Sequence, residues 1–226
     1  MGKPLALIVG VGDGLSASLA RLLAREGYAV ALAARNAGKL AALAAETGAS
    51  VHACDVADAV SVNALFDALP GPPAVVVYNP SFRVRGALVD LDPAEVRKTI
   101  DVTAFGAFLV AQHAARAMLA AGGGTILFTG ASAGVKGYAK SAPFAMGKFA
   151  LRGLAQSMAR ELHPQGVHVA HVVIDGGIRS TRRPDESGRD ALLDPDAIAR
   201  TYLHLIQQPR SAWSWEIEVR PWLETF

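Results

Sequence analysis

The chain opens on a unit that few folds can hold: a short apolar run, a glycine turn and an amphipathic helical stretch. Leu5-Ala6-Leu7-Ile8-Val9 is apolar throughout, as a parallel strand buried on both faces must be. Gly10-Val11-Gly12-Asp13-Gly14 follows, and then Leu15, Leu19, Leu22 and Leu23 at helical spacing. A glycine turn at such a junction is either a plain tight turn or a phosphate cradle. In the cradle the backbone approaches a pyrophosphate at a helix N-terminus, where free N–H groups and the helix dipole favour an anion. Its place at the first strand–helix junction favours the cradle.

The alternation then repeats. Tyr28 to Ala33, Val51 to Cys54, Ala74 to Tyr78, Thr125 to Thr129, Val167 to Ile174 and Trp215 to Val219 read as strands. Between them lie helical stretches: Leu40 to Thr47, Ala59 to Leu69, a run from Asp92-Pro93 through Met118, Pro143 to His163, and Asp194-Pro195 to about Gln208. Aspartate before proline is a helix start, with a side-chain cap and a preset φ at the first turn. Strand and helix in strict alternation predict an α/β fold. The expected form is a Rossmann-type doubly wound parallel sheet with helices on both faces, as one domain over residues 1–226. Ile178 to Asp190 is polar and holds Arg179, Arg182, Arg183 and Arg189; it is expected to be a mobile lid over the ligand site.

Composition narrows the classes. Hydrophobic residues make up 51% of 226, much of it alanine, which suits close-packed helices. The uninterrupted apolar runs fall short of the about 20 residues of a membrane helix. A formal charge of +2 gives no footprint for nucleic acid. The single cysteine, Cys54, cannot form an internal disulfide, which fits the cytoplasm. The histidines show no metal spacing, so no metal site is expected.

Three positions bear on a dinucleotide. Arg35 ends the second strand, where an acid suits a free ribose 2′-hydroxyl and a base suits the 2′-phosphate of NADP. It is either that reader or a solvated arginine at a helix start. Asp55, with Val56, follows the third strand, as an adenine contact or as a turn residue. Asn79 closes the fourth strand, at the end of the sheet where open α/β folds bind ligands.

In this order and spacing the chain from about Leu5 to Val219 resembles the short-chain dehydrogenase/reductase family. Gly10, Gly14 and Ser16 stand where that family has its three glycines. Asp55-Val56 matches its adenine contact, and Tyr78-Asn79-Pro80-Ser81 replaces Asn-Asn-Ala-Gly. Asp175-Gly176-Gly177-Ile178-Arg179-Ser180 is similar to its Pro-Gly-x-x-x-Thr segment. The resemblance implies a cofactor, NADP(H) by preference with NAD(H) as the alternative. Its site would be Gly10, Gly12, Asp13, Gly14, Leu15, Arg35, Asp55, Val56, Asn79, Lys148, Gly176 and Ile178.

The family's catalytic set is a tyrosine that exchanges the proton, a lysine that binds the ribose, a serine on the substrate oxygen and an asparagine supporting a proton-relay water. Carried over, these fall on Phe144, Lys148, Ala131 and Asp101, so only the lysine is kept. Lys148, Ser132, Tyr138 and Asp101 are the candidate catalytic groups. Two readings follow: an oxidoreductase with an atypical active site, acting on an unknown small molecule, or an inactive dinucleotide-binding protein serving as a cofactor sensor or partner subunit. The resemblance also implies a homodimer or homotetramer, built on the two long helices.

Overall fold

The computed structural model describes residues 2–223 except 182 and 187. Seven strands form one sheet in the order β3-β2-β1-β4-β5-β6-β7, and every pair is parallel. The strands are β1 (Leu5–Val9), β2 (Ala29–Ala34), β3 (Ser50–Ala53), β4 (Val75–Tyr78), β5 (Gly124–Thr129), β6 (Val167–Ile174) and β7 (Glu216–Val219). The helices are α1 (Leu15–Arg25), α2 (Ala41–Thr47), α3 (Ala59–Asp67), α4 (Pro93–Ile100), α5 (Gly106–Ala121), α6 (Ala142–Leu162) and α7 (Pro195–Gln207).

Side-chain alternation divides the core in two. Leu7, Val9, Val76, Tyr78, Ile126 and Phe128 face α3, α5 and α6. Ala6, Ile8, Val75, Val77, Leu127 and Val172 face α1 and α7. Both faces are covered, so the central strands β1, β2 and β4 are apolar at almost every position rather than at every second one. Leu7, Leu19, Leu23 and Leu127 are fully buried, each contributing about 1.5–3 kcal/mol of apolar burial.

Three helices start as their sequences predict. Asp58, Asp92 and Asp194 each accept from the backbone amide two residues on, at 2.9–3.0 Å, and α4 and α7 have proline in their first turn. The expected unbroken helix from Asp92 is not unbroken. Asp101–Phe105 is a π-helical turn between α4 and α5. The Gly106 amide bonds the Asp101 carbonyl, five residues back, and the Val102 carbonyl accepts the Tyr78 hydroxyl at 2.5 Å. A Cβ on Gly106 would lie 2.7 Å from the Val56 carbonyl oxygen, so glycine there lets the helix approach the sheet.

The run Pro93–Ala121 is, by length and mean hydropathy, long and apolar enough to cross a membrane. Its Ala107, Val110, Ala111, Ala114 and Met118 instead pack on the sheet.

Candidate functional site

The order of the sheet reverses between β1 and β4, and the loops at the C-terminal ends of these strands and of β5 and β6 converge there. In such sheets this switch point is where ligands bind. Gly10 leaves β1 with φ +81, and a Cβ on it would lie 2.6 Å from the Pro80 nitrogen. Ser16, 1% exposed, donates to the Gly10 carbonyl at 3.3 Å and accepts from Asn79 Nδ2 at 2.7 Å. The hydroxyl that replaces a third glycine thus ties the turn to the end of β4.

Gly14 caps α1 with no side-chain hydrogen bond, and no acid stands in the first turn. The first amides of α1 are therefore donors aimed past the turn. Space above Gly12 is open, and the nearest atom to a Cβ at Gly14 is Ser180 Cβ, at 3.7 Å. Arg35 stands exposed at the end of β2. Asp55 Oδ1 accepts from the Ala57 amide at 3.1 Å, while Val56 is buried. These groups fit a dinucleotide chemically: amide donors for a pyrophosphate, a cation for a ribose phosphate and an exposed carboxylate at the adenine end.

Beside this turn lies a cleft of about 1200 Å³. Lys148 forms part of its floor. It is 3% exposed, and its Nζ donates to the Thr129 carbonyl at 2.7 Å. Burial lowers its pKa from 10.5 to about 8, because desolvation disfavours the ammonium. One helical turn earlier the Phe144 ring has Lys148 Nζ 5.8 Å from its centroid and the Arg83 guanidinium 4.7 Å from it. An aromatic face attracts both charges. Burial first, and then the charges of Arg85 and Arg183, hold the Arg83 guanidinium below its usual range.

A buried polar group supports the floor from below. His171 is fully buried, and its Nδ1 lies 3.0 Å from Glu216 Oε2. Arg152 holds the same carboxylate through two bonds of 2.6 and 2.7 Å. Burial pulls His171 down to about 4. Desolvation would raise the Glu216 carboxyl, but the bonds from Arg152 and His171 hold it below the usual range. Among the described residues the His171 Nε2 atom has no hydrogen-bond partner. A Cβ on Gly130 would lie 2.3 Å from it, so Gly130 makes room for the ring. Among the described residues no group of three or more His, Cys, Asp or Glu side chains is placed to hold a metal ion.

The short chain dehydrogenase family profile matches residues 4–189. The chain belongs to the short-chain dehydrogenase family. It is 34% identical over 185 residues to the 3-oxoacyl-(acyl-carrier-protein) reductase MabA of Mycobacterium tuberculosis, covering 80% of this chain and 72% of that protein. A short-chain dehydrogenase from Rhodopseudomonas palustris superposes with a TM-score of 0.86 at 35% identity, covering 97% of this chain and 99% of that one. A metagenomic short-chain oxidoreductase in complex with NADP superposes with a TM-score of 0.86 at 30% identity, covering 99% of each chain.

Within this dehydrogenase scaffold the residues expected from sequence divide clearly. Asn79, Ser132, Tyr138, Lys148, Gly176 and Ile178 line the one cleft. Gly10, Gly12, Asp13, Gly14 and Leu15 form the neighbouring turn, with Arg35, Asp55 and Val56 at the ends of β2 and β3. Tyr138 is 44% exposed and stacks its ring under Lys136.

Asp101 lies apart from the cleft. Its carboxylate is bonded by Arg97 Nε at 2.9 and 3.1 Å on the helix surface, and it does not line the cleft. The π-helical turn changes the helical phase, and the buried residue facing α6 is Thr103, 3.0 Å from where a Gly147 Cβ would lie. The segment after β6 makes contacts back to the chain. Ile178 bridges Leu193, Ser180 bridges Arg183, Arg179 pairs with Asp194 at 3.2 Å, and Thr181 donates to Asp13 in the glycine turn. Arg182, also named above, lies outside the described residues.

Sequence reasoning missed Arg83 and Arg85, and named Asp175 only as the start of the segment after β6. All three line the cleft; Asp175 is buried and pairs with Arg220 at 3.4 Å. The basic character of Arg83-Val84-Arg85 after Asn79 was the only signal available.

Proposed function

We propose that this oxidoreductase is NADP(H)-dependent and interconverts a carbonyl and an alcohol on a small molecule, with Lys148 as its principal acid–base group. The observation that carries the reading is the junction of two half-sites at one switch point: the uncapped amide end of α1, and a cleft floored by a buried lysine of lowered pKa. The metagenomic relative bound to NADP supports the choice of cofactor, as does Arg35 at the end of β2.

Bound NADPH would supply a hydride for the carbonyl carbon. The oxygen then needs a proton, and Phe144 has none to give. Lys148, with a pKa near 8, is an ammonium at neutral pH and is acidic enough to release a proton. Ser132 and Tyr138, on the walls of the same cleft, are hydrogen-bonding groups for the substrate oxygen. Buried Lys148 takes its proton back from water entering the cleft. The site is atypical because the acid lies on the floor and an aromatic ring occupies the position of the expected tyrosine.

The test is cofactor binding by calorimetry with NADPH and NADH, on the native protein and on Arg35→Asp. The expected result is tighter binding of NADPH, and a loss of at least about tenfold for NADPH against little for NADH in the variant, since a charge-assisted phosphate contact is removed. Equal losses would sink the NADP preference. Absence of binding by either cofactor would sink the oxidoreductase reading itself.

A homodimer or homotetramer is proposed on the long helices. Phe105, Phe108, Met146 and Phe149 are 41–53% exposed on the π-helical turn, α5 and α6, a density of large apolar groups that suits a partner surface. Light scattering on the eluting protein tests it, and a monomer at micromolar concentration rejects it.

A further inference from the structure

The charge balance of the cleft is one-sided. Its lining includes five cationic side chains, Arg83, Arg85, Lys140, Lys148 and Arg183, against one carboxylate, Asp175. That carboxylate already faces Arg220. Other arginines do sit on carboxylates: Arg21 on Glu46, Arg97 on Asp101, Arg152 on Glu216 and Arg179 on Asp194. Among the described residues no carboxylate pairs with Arg83, Arg85 or Arg183. The three guanidinium groups stand close enough for Arg85 and Arg183 to disfavour the charge on Arg83.

Two of them are positioned by contacts that, among the described residues, leave their side-chain donors unused. Arg83 lies over the Phe144 ring, a contact that consumes none of its N–H donors. Arg183 packs on the chain after β6, where its Nη1 would be 2.6 Å from a Gly177 Cβ. A glycine there lets the guanidinium settle against the backbone. Like charges gathered in a concave site and left without acids favour an anion by both field and hydrogen bonds.

We propose that Arg83, Arg85 and Arg183 form an oxyanion-binding subsite at the reacting end of the cleft, and that the substrate is a carbonyl or hydroxy compound bearing a carboxylate or a phosphate. The proposal rests on the oxidoreductase reading for the word substrate, but the subsite itself does not. Phe144 then has a positive role. Its ring is the platform that holds Arg83 beside Lys148, so the anionic group docks next to the carbon to be reduced. This favours short substrates, in which charge and carbonyl are separated by few bonds.

The test is calorimetric titration of the native protein, alone and saturated with NADP⁺, with two matched pairs. Acetoacetate is set against methyl acetoacetate, and dihydroxyacetone phosphate against dihydroxyacetone. The same titrations are run on Arg83→Gln, with Arg83→Lys as the charge-conserving variant. The expected result is binding of at least one anion at least about tenfold tighter than its neutral partner, weakened by added salt. Arg83→Gln should lose about tenfold or more for that anion, Arg83→Lys should lose less, and NADPH binding should stay within about twofold in both. The pair that responds identifies the carboxylate or the phosphate as the recognised group.

Equal affinities for anion and neutral partner would overturn the proposal, as would an Arg83→Gln variant that binds the anion as the native protein does, or no binding by any of the four. Anion binding without NADPH binding would leave the subsite standing and remove the oxidoreductase reading. NADPH binding without anion binding would do the reverse.

Discussion

Lys148 Nζ donates to the Thr129 carbonyl at 2.7 Å, and both groups are buried. A single neutral acceptor does not restore the hydration of an ammonium. Desolvation therefore takes the lysine from 10.5 to about 8, and the sign of the consequence is fixed. Between pH 8 and 10.5 the unfolded chain binds a proton that the folded chain has lost, so stability rises with pH across that window. At about 1.4 kcal/mol per tenfold in protonation, the burden at neutral pH is about 3 kcal/mol. Lys148→Met removes it but leaves the Thr129 carbonyl unpaired, at about 1–3 kcal/mol. The variant should be no less stable than the native protein at pH 7, and should lose ground to it by about 3 kcal/mol by pH 10.5. Urea unfolding at both pH values measures this. A difference that does not change with pH would show that Lys148 titrates normally.

The same pKa makes a kinetic prediction. If Lys148 is the acid for reduction, its protonated form is required, and kcat should fall as pH rises through about 8. For alcohol oxidation, where the lysine must accept the proton, kcat should rise over the same range. Opposite limbs in the two directions, both lost in Lys148→Met, would identify the group. A reductive rate that is flat to pH 9.5 would remove Lys148 as the acid.

His171 governs the acid side. Its imidazole is lowered to about 4 by burial despite Glu216 beside it. Below its ordinary 6.5 the unfolded chain takes up a proton that the folded chain refuses, so stability falls as pH drops from 6.5 to 4. The loss over that interval is about 3 kcal/mol, on top of any from other groups. In His171→Gln the amide still reaches toward Glu216 and no longer titrates. The gap between native and variant should close by that amount between pH 7 and pH 4. A constant gap would mean that His171 is charged in the fold.

Where the sequence was legible, the reason is local. β6 falls on the expected residues because six apolar residues and two histidines, all buried, lie between Gly166, which turns at φ +86, and the Asp175-Gly176 break. α4 and α7 begin where aspartate and proline say they should. The π-helical turn was not legible, because apolar spacing continues through it from α4 into α5. Along that turn Asp101 is half-exposed beside Arg97, and Thr103 is buried. Arg83 on Phe144, and Arg152 and His171 on Glu216, were not legible either. Each joins residues far apart in the chain, and nothing in the periodicity of one segment specifies its partner in another.

Gly106 tests the close approach at the π-helical turn. A methyl group there would meet the Val56 carbonyl at 2.7 Å and the Tyr78 hydroxyl at 2.8 Å, and backbone cannot move aside cheaply. Gly106→Ala should lose about 2 kcal/mol or more despite the better helix propensity of alanine. Gly153, in the middle of α6, has nothing within 4 Å of its added methyl. Gly153→Ala should gain about 0.5–1 kcal/mol. Denaturant midpoints of the two variants on either side of the native value would support the packing; two shifts of the same sign would contradict it.

Phe144 and Ala131 provide the last test, because restoring hydroxyls there asks whether the cleft still presents a carbonyl to them. In Phe144→Tyr the new phenol would stand one turn from Lys148, whose charge favours the phenolate and so strengthens the phenol as an acid. The ring would still carry Arg83, so the anion subsite should survive. Ala131→Ser adds a second donor for the oxygen. The two should act as a unit, each alone giving little and both together raising kcat/KM by about 10²-fold or more. Steady-state kinetics on the anionic carbonyl that binds best measures the gain. A double variant no faster than the native protein, yet binding NADPH and the anion normally, would show that the substrate oxygen points away from position 144 and that Lys148 reaches it by another route.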